Sequence, residues 1–314
     1  MTGGGPIHSI EETMKPKRQK QKSKKGSPNG NLHVPVRRLT DASEILSYLE
    51  RERGYSAAAI AHLEAGFWEV SKWLLAINDD NFALCLVSRS TSPTYIFTLG
   101  NASTLDSLLN SVGLPGNVFI TCQPQHMDVL EGYYDIEWRG IMKRMMANRE
   151  NFSPASEEAM RLRPMHIREL NRLYRSHSEN VFSADQIKRG VYYGVWHDEE
   201  LVAVAGTHII SPTHGIACLG NVLTHAAHRN QGLATTCTSA VTADLLDYCT
   251  EVVLNVEPQN LPAIRAYANL GYKDNCMIVE AFGRRRSFVG DIITKLCGKF
   301  KLGDQYEEGV KVDG

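Results

Sequence analysis

No stretch of the sequence approaches the roughly 18 consecutive apolar residues that a membrane-spanning helix needs. Its first residues also lack the apolar core of a secretory leader. The seven cysteines, at 85, 122, 218, 237, 249, 276 and 297, form no Cys-x-x-Cys pair and no Cys/His cluster at metal-ligand spacing. Several lie in apolar runs and read as small core residues of a reducing compartment. No Gly-Lys-Ser/Thr follows a glycine turn, which excludes a Walker loop, and no G-x-G-x-x-G follows a strand, which excludes the dinucleotide fingerprint. The net charge is only −1, so the molecule as a whole is not a nucleic-acid binder by charge. These absences lead to the expectation of a cytoplasmic protein, off the membrane and without a metal.

What charge there is sits unevenly. Residues 1–31 carry seven basic side chains, Lys15 to Lys25, against Glu11 and Glu12, a local +5 that leaves about −6 for the remainder. Rich in Gly, Pro, Ser, Lys and Gln, this tail is expected to be disordered. Its residues 15–25 are a candidate polyanion contact, a nuclear address or simply a solubilising run.

With 314 residues, 43% of them hydrophobic, the rest suffices for two ordinary domains. Residues 32–150 read as a first α/β region. A helix capped by Thr40 or Asp41 carries Ile45, Leu46 and Leu49, and a second follows a turn at Gly54 over 57–64. Strands fall at 73–77, 82–87 and 94–99, a helix capped by Ser103 or Thr104 at 103–112, a strand at 118–121, a short helix at 125–133 and a strand at 138–146. The polar run 149–158 reads as a linker. A second region, 159–287, opens with a strand from Met160 and a helix at 166–174. After a variable segment, 175–189, come strands at 191–196, 201–210 and 216–224. Residues 288–314 read as an amphipathic helix and a loose tail.

Residues 219–272 are the most informative stretch. Leu219–Thr224 is a short apolar run that leads through Arg229-Asn230-Gln231-Gly232-Leu233-Ala234 into a helix with apolar positions 233, 237, 240, 241, 245 and 248. Gly232 removes a side chain, and Arg229 adds a positive charge, at a helix N-terminus whose amides and dipole favour an anion. Val252–Val256 is a β-branched run suited to a buried strand. Asn260 can cap the next helix, Pro262 is tolerated in its first turn, and Gly271 closes it.

Two spaced motifs, Arg229-x-x-Gly232-x-Ala234 and Asn260-x-x-Ala263-x-x-x-Tyr267-x-x-x-Gly271-Tyr272, together resemble the GNAT superfamily of N-acetyltransferases, with Tyr272 standing where Phe is commoner. The resemblance covers about residues 159–283. It implies an α/β fold with a mixed, mostly antiparallel sheet whose middle strands splay, flanked by helices. The first region then reads as a second α/β domain, a possible degenerate copy without the CoA motifs. The resemblance further implies an enzyme moving an acetyl group from acetyl-CoA, as co-substrate, to a small-molecule or peptide amine. Residues 229–234 would hold the pyrophosphate. Val222, Leu223 and Thr224 would pair with the pantetheine amides, and Asn260, Ala263 and Tyr267 would complete the site. A longer acyl donor, an amino-acid acceptor as in the glycine-acyltransferase-like branch, and a non-catalytic acyl-CoA sensor remain alternatives.

Acyl transfer needs a neutral amine, a stabilised oxyanion and a protonated leaving thiolate. By motif position Tyr267 is the candidate acid, although periodicity alone makes it a core aromatic. No base stands out: Glu257, His225 and His208 are candidates, and a water chain to solvent would serve as well. Cys218 reads as inert. Arg284–Arg286 reads either as a contact for the CoA 3′-phosphate or as a solvated cluster. One strand that the family usually has is either missing or supplied by the first region.

Overall fold

A single succession of elements occurs twice along the chain, and the two copies exchange their last strands. The computed structural model describes residues 34–175 and 181–286. In the first copy, β1 (Val36–Leu39) is followed by α1 (Ala42–Leu49) and α2 (Arg53–Ala61). The hairpin strands β2 (Ser71–Asn78) and β3 (Asn81–Ser88) come next, then β4 (Thr94–Gly100), α3 (Ala102–Asn110), β5 (Asn117–Cys122), α4 (Met127–Leu130) and β6 (Tyr134–Asn148). In the second copy the same places are taken by β7 (Met160–Arg161), α5 (Ile167–Arg175), α6 (Ala184–Arg189), β8 (Tyr193–His197), β9 (Glu200–Ser211), β10 (Ile216–Thr224), α7 (Leu233–Leu246), β11 (Glu251–Val256), α8 (Leu261–Asn269) and β12 (Lys273–Arg285).

The twelve described strands form one sheet in the order β1-β2-β3-β4-β5-β12-β6-β11-β10-β9-β8-β7. Exchanging the two copies reproduces this order, so the sheet has a pseudo-twofold axis between β6 and β12. Only β4–β5 and β10–β11 are parallel, at corresponding places. β6 pairs antiparallel with β11 and β12 pairs antiparallel with β5. The strand that seemed missing from the second region is therefore β6, supplied by the first.

Local sequence explains most boundaries. Asp41 accepts from the Ser43 amide at 2.9 Å and starts α1, which buries Ile45 and Leu49. Asn101, not Ser103 or Thr104, caps α3, because its carboxamide reaches both of their amides. A 3₁₀ turn, Glu50–Glu52, carries α1 directly into α2, so Gly54 lies within a helix rather than a turn. The short helix expected over 125–133 contracts to α4. The segment 175–189 contains α6, with a capping box made by Ser183 and Gln186. The helix and tail expected over 288–314, like the N-terminal tail, lie outside the described residues.

The helices lie on two faces. One carries α3 and α4 against Ile96 and Ile120 and, in the second copy, α7 and α8 against Leu219 and Leu254. The other carries α1 and α2 against Trp73, Phe97 and Val253, with α5 and α6 against Leu201 and Val204. Among the described residues no helix is long and apolar enough to cross a membrane. None of their His, Cys, Asp or Glu side chains gather in groups of three or more that could hold a metal.

Candidate active site

β10 and β11 run in register only from Ile216–Leu219 against Glu251–Leu254. Beyond that, β10 carries a bulge between Gly220 and Leu223, with Asn221 at φ +52°. The bulge is pinned from the α5/α6 side. The Tyr174 hydroxyl donates to the Asn221 carbonyl at 2.7 Å, and the Asn221 carboxamide donates to the Thr207 carbonyl at 3.2 Å. β10 therefore turns away from β11, and Val222, Leu223 and Thr224 leave the β11 ladder to line one side of a V-shaped opening.

The loop after β10 leads to the mouth of this opening. Arg229 reaches back to the Thr224 carbonyl at 3.5 Å, and Asn230 and Gln231 are exposed. Gly232 takes φ +80°, with no heavy atom within 4 Å of where a Cβ would stand. No side chain caps α7, whose first residues are Leu233 and Ala234. A 14-residue helix thus starts without a side-chain cap, and one turn in the Thr236 hydroxyl donates to Glu157 at 3.0 Å.

α8 follows β11. Asn260 accepts from the Ala263 amide at 3.2 Å, so its carboxamide oxygen is committed to the cap. Tyr267 is 7% exposed and packs with Ala263, Leu270, Leu219 and Val256, its ring 6.2 Å from that of Tyr272. Its hydroxyl bonds no other described residue, and burial pushes its pKa up to about 12, so it stays protonated at neutral pH. Tyr267 is thus the core aromatic that its periodicity required, with its hydroxyl left protonated. Glu257 is exposed just after β11. His225 is exposed at the start of the loop, where its Nδ1 accepts from the Ala227 amide at 3.3 Å.

On the opposite face a cleft of about 580 Å³ reaches the bulge. Its floor is Thr207–Ile210 of β9 with Asn221; Phe182, Gln186 and Arg189 wall it from the second copy, and Phe67, Ser90 and Thr91 from the first. No carboxylate lines it among the described residues, and Arg189 is ion-paired with Asp185 on its own helix. His208 on the floor is open to the cleft but packed in protein elsewhere. That desolvation, and then the charge of Arg144, hold its imidazole below the ordinary value.

One polar network gave no signal in the sequence. Arg144 on β6 is 3% exposed and donates to the Asn255 carboxamide on β11 at 2.9 Å and to the carbonyls of Gly54 and Tyr55 at 3.1 and 2.6 Å. Asn255 in turn donates to Glu280 on β12 at 2.8 Å. Burial raises the Glu280 pKa, opposed by Arg144 and by the Asn255 bond. Only the strand exchange brings these three together. The cluster Arg284–Arg286 is engaged: Arg284 pairs with Glu137 at 3.0 Å, Arg286 with Asp135 at 2.9 Å, and Arg285 donates to the Leu114 carbonyl at 3.0 Å.

The corresponding places in the first copy are closed. Asn101 alone joins β4 to α3, and its carboxamide accepts from Ser103 and Thr104 at 3.0 and 3.1 Å, filling the helix N-terminus. His126 bridges the Thr98 hydroxyl and the Gly100 carbonyl, each at 2.9 Å, and the Tyr55 hydroxyl donates to the Thr98 carbonyl at 2.6 Å.

Residues 158–272 match the model of the Acetyltransferase (GNAT) family. A search among curated proteins returns no match. Among solved structures, a GCN5-related N-acetyltransferase from Kribbella flavida is 17% identical, with TM-score 0.53 over 76% of this chain and 97% of its own. A Drosophila protein is 11% identical, with TM-score 0.60 over 80% and 98%. A GCN5-related N-acetyltransferase from Sphaerobacter thermophilus is 12% identical, with TM-score 0.51 over 82% and 98%. At these identities the likeness is one of fold. It extends across both copies of the repeat.

Proposed function

We propose, from a chain that belongs to the GNAT superfamily through residues 158–272, that it is an N-acyltransferase passing an acetyl group from acetyl-CoA directly to a bound amine. One observation carries this reading. The second copy keeps an open splay beside an uncapped helix N-terminus, while the first copy fills both places with Asn101, His126 and Tyr55.

The residues fit such a donor. The amides at the start of α7, with Arg229 nearby, would hold a pyrophosphate. Val222–Thr224 would offer backbone pairing to the pantetheine arm, with Asn260 and Ala263 walling it from α8. The bound thioester supplies an already activated acyl group. The chain's own work is then to align it with the amine, exclude bulk water and move protons. Tyr267, buried at the splay and protonated, would hand its proton to the departing sulfur. The cleft on the far side of the bulge would seat the acceptor, with the first copy building one of its walls.

A second reading of the acceptor rests on the lining of that cleft. With no carboxylate lining it among the described residues, and Arg189 at its edge paired with Asp185, it suits an amine bearing an anionic group, such as an amino acid, better than a polycation. The six described cysteines are free thiols, which supports placement in a reducing compartment such as the cytoplasm.

The test is thiol release from acetyl-CoA against a panel of amines, with amino acids and polyamines as separate arms. Turnover that disappears in Gly232→Glu supports the reading. Firm acetyl-CoA binding with no thiol release across the panel would make the protein an acyl-CoA sensor instead.

A further inference from the structure

Resting on that reading, we propose that His208 is the general base that takes the proton from the acceptor amine. Three observations place it. His208 lies on the cleft floor next to Thr207, whose carbonyl anchors the bulge residue Asn221. A Cβ at Gly220 would stand 2.0 Å from His208 Nε2, so the ring lies across β10 in space that only a glycine leaves open. Gly220 is also the first residue past the last β10–β11 pair, where the splay begins. The imidazole therefore reaches from the acceptor cleft over β10 toward the point where a thioester would enter. Neither Glu257 nor His225 lines this cleft.

The surrounding groups leave His208 free to act. Arg144 on β6 faces it, and Arg189 of α6 shares the cleft. Burial pushes Cys218 on β10 up to about 11 and Tyr192 before β8 up to about 12, and raises Tyr174 on α5 as well. His62, at the C-terminal cap of α2, contacts Ser90 on the rim and is lowered to about 4 by burial. Glu64 lies at the far end of β9. Burial opposes its ionisation, but bonds from Ser211 and Thr213 outweigh this and hold it below the usual value. Burial and then Arg144 lower the His208 imidazole, so at neutral pH it stands in the neutral, proton-accepting form.

His208 Nε2 accepts one proton from the ammonium form of the acceptor, and the lone pair freed on the amine nitrogen then attacks the acyl carbon. The carbon–nitrogen bond forms and the carbon–sulfur bond breaks. The amide nitrogen gives up a second proton, which restores, through water, the phenol proton that Tyr267 passes to the departing sulfur. His208 returns its proton to cleft water, so the products are amide, thiol and one solvent proton.

The test compares wild type with His208→Gln and Gly220→Ala, using acetyl-CoA and the best amine of the panel. Both variants should lose about a hundredfold or more in kcat/KM, with acetyl-CoA affinity in His208→Gln within about threefold of wild type. The wild-type acid limb of kcat/KM, below pH 6.5, should be replaced in His208→Gln by one set by the pKa of the amine itself. An active His208→Gln with an unchanged acid limb overturns the assignment while leaving the transferase reading intact. A wild type silent on every amine overturns both.

Discussion

Arg144, on a strand of the first copy, donates to Asn255 of the second at 2.9 Å, on the same two strands whose backbones pair from Asn148–Glu251 to Lys143–Val256. The two copies are thus bound by a side chain as well as by a shared ladder. Each copy without the other would have β5 or β11 exposed as an unpaired apolar edge, and its own last strand would lose its partners on both sides. Residues 34–150 and 151–286 produced separately should show no cooperative unfolding transition, and co-production should restore it. A cooperative transition in either piece alone would contradict a shared core.

Replacing Arg144 with Met should cost about 3 kcal/mol, the size expected when one member of a buried polar network is removed. It would leave the Gly54 and Tyr55 carbonyls unmet and take a positive charge from beside Glu280. Urea unfolding measures this directly. A loss below about 1 kcal/mol would mean that the network is incidental.

The two helix N-termini should respond oppositely to substitution. Asn101→Ala should lower stability by about 1 kcal/mol, the usual worth of a cap, and leave acetyl-CoA binding unchanged. Gly232→Glu should abolish binding by placing a carboxylate at the anion site, at a stability cost of about 1–2 kcal/mol for a left-handed residue. Tyr267→Phe should keep binding and slow turnover about tenfold to a hundredfold. Chemical denaturation and calorimetric titration separate the two effects.

His62 gives the protein a predictable acid sensitivity. Its ring is 5% exposed, and burial lowers its pKa from 6.5 to about 4. Folding therefore favours the neutral form: the stabilisation is complete above pH 6.5 and is lost as pH falls from there to about 4. That loss is about 3 kcal/mol. The difference between the stability curves of wild type and His62→Gln should fall by this amount over that window, and a constant difference would contradict it.

The second copy was legible because its working parts are local. Arg229, Gly232 and Ala234 sit on one turn, Asn260 and Tyr267 on one helix, and both motifs keep their spacing whatever the rest of the chain does. The strand exchange was not legible, since nothing within 134–148 or 273–285 says which neighbour each will choose. That choice also hid Arg144 and Glu280, which look like surface charges until β6 is set between β11 and β12. His208 was visible only as a candidate. What places it on the cleft floor is the bulge at Asn221, pinned by Tyr174 and Thr207 from outside its own strand. The cap at Asn101 was missed because Ser103 and Thr104 also have capping chemistry, and in the fold they donate to it.

The most direct test of the account is calorimetric titration of the full chain with acetyl-CoA, run beside Gly232→Glu and Asn101→Ala. One donor bound per chain, lost in Gly232→Glu and kept in Asn101→Ala, is the predicted result. Two donors per chain, or binding that survives Gly232→Glu, would contradict an open site in the second copy and a closed one in the first.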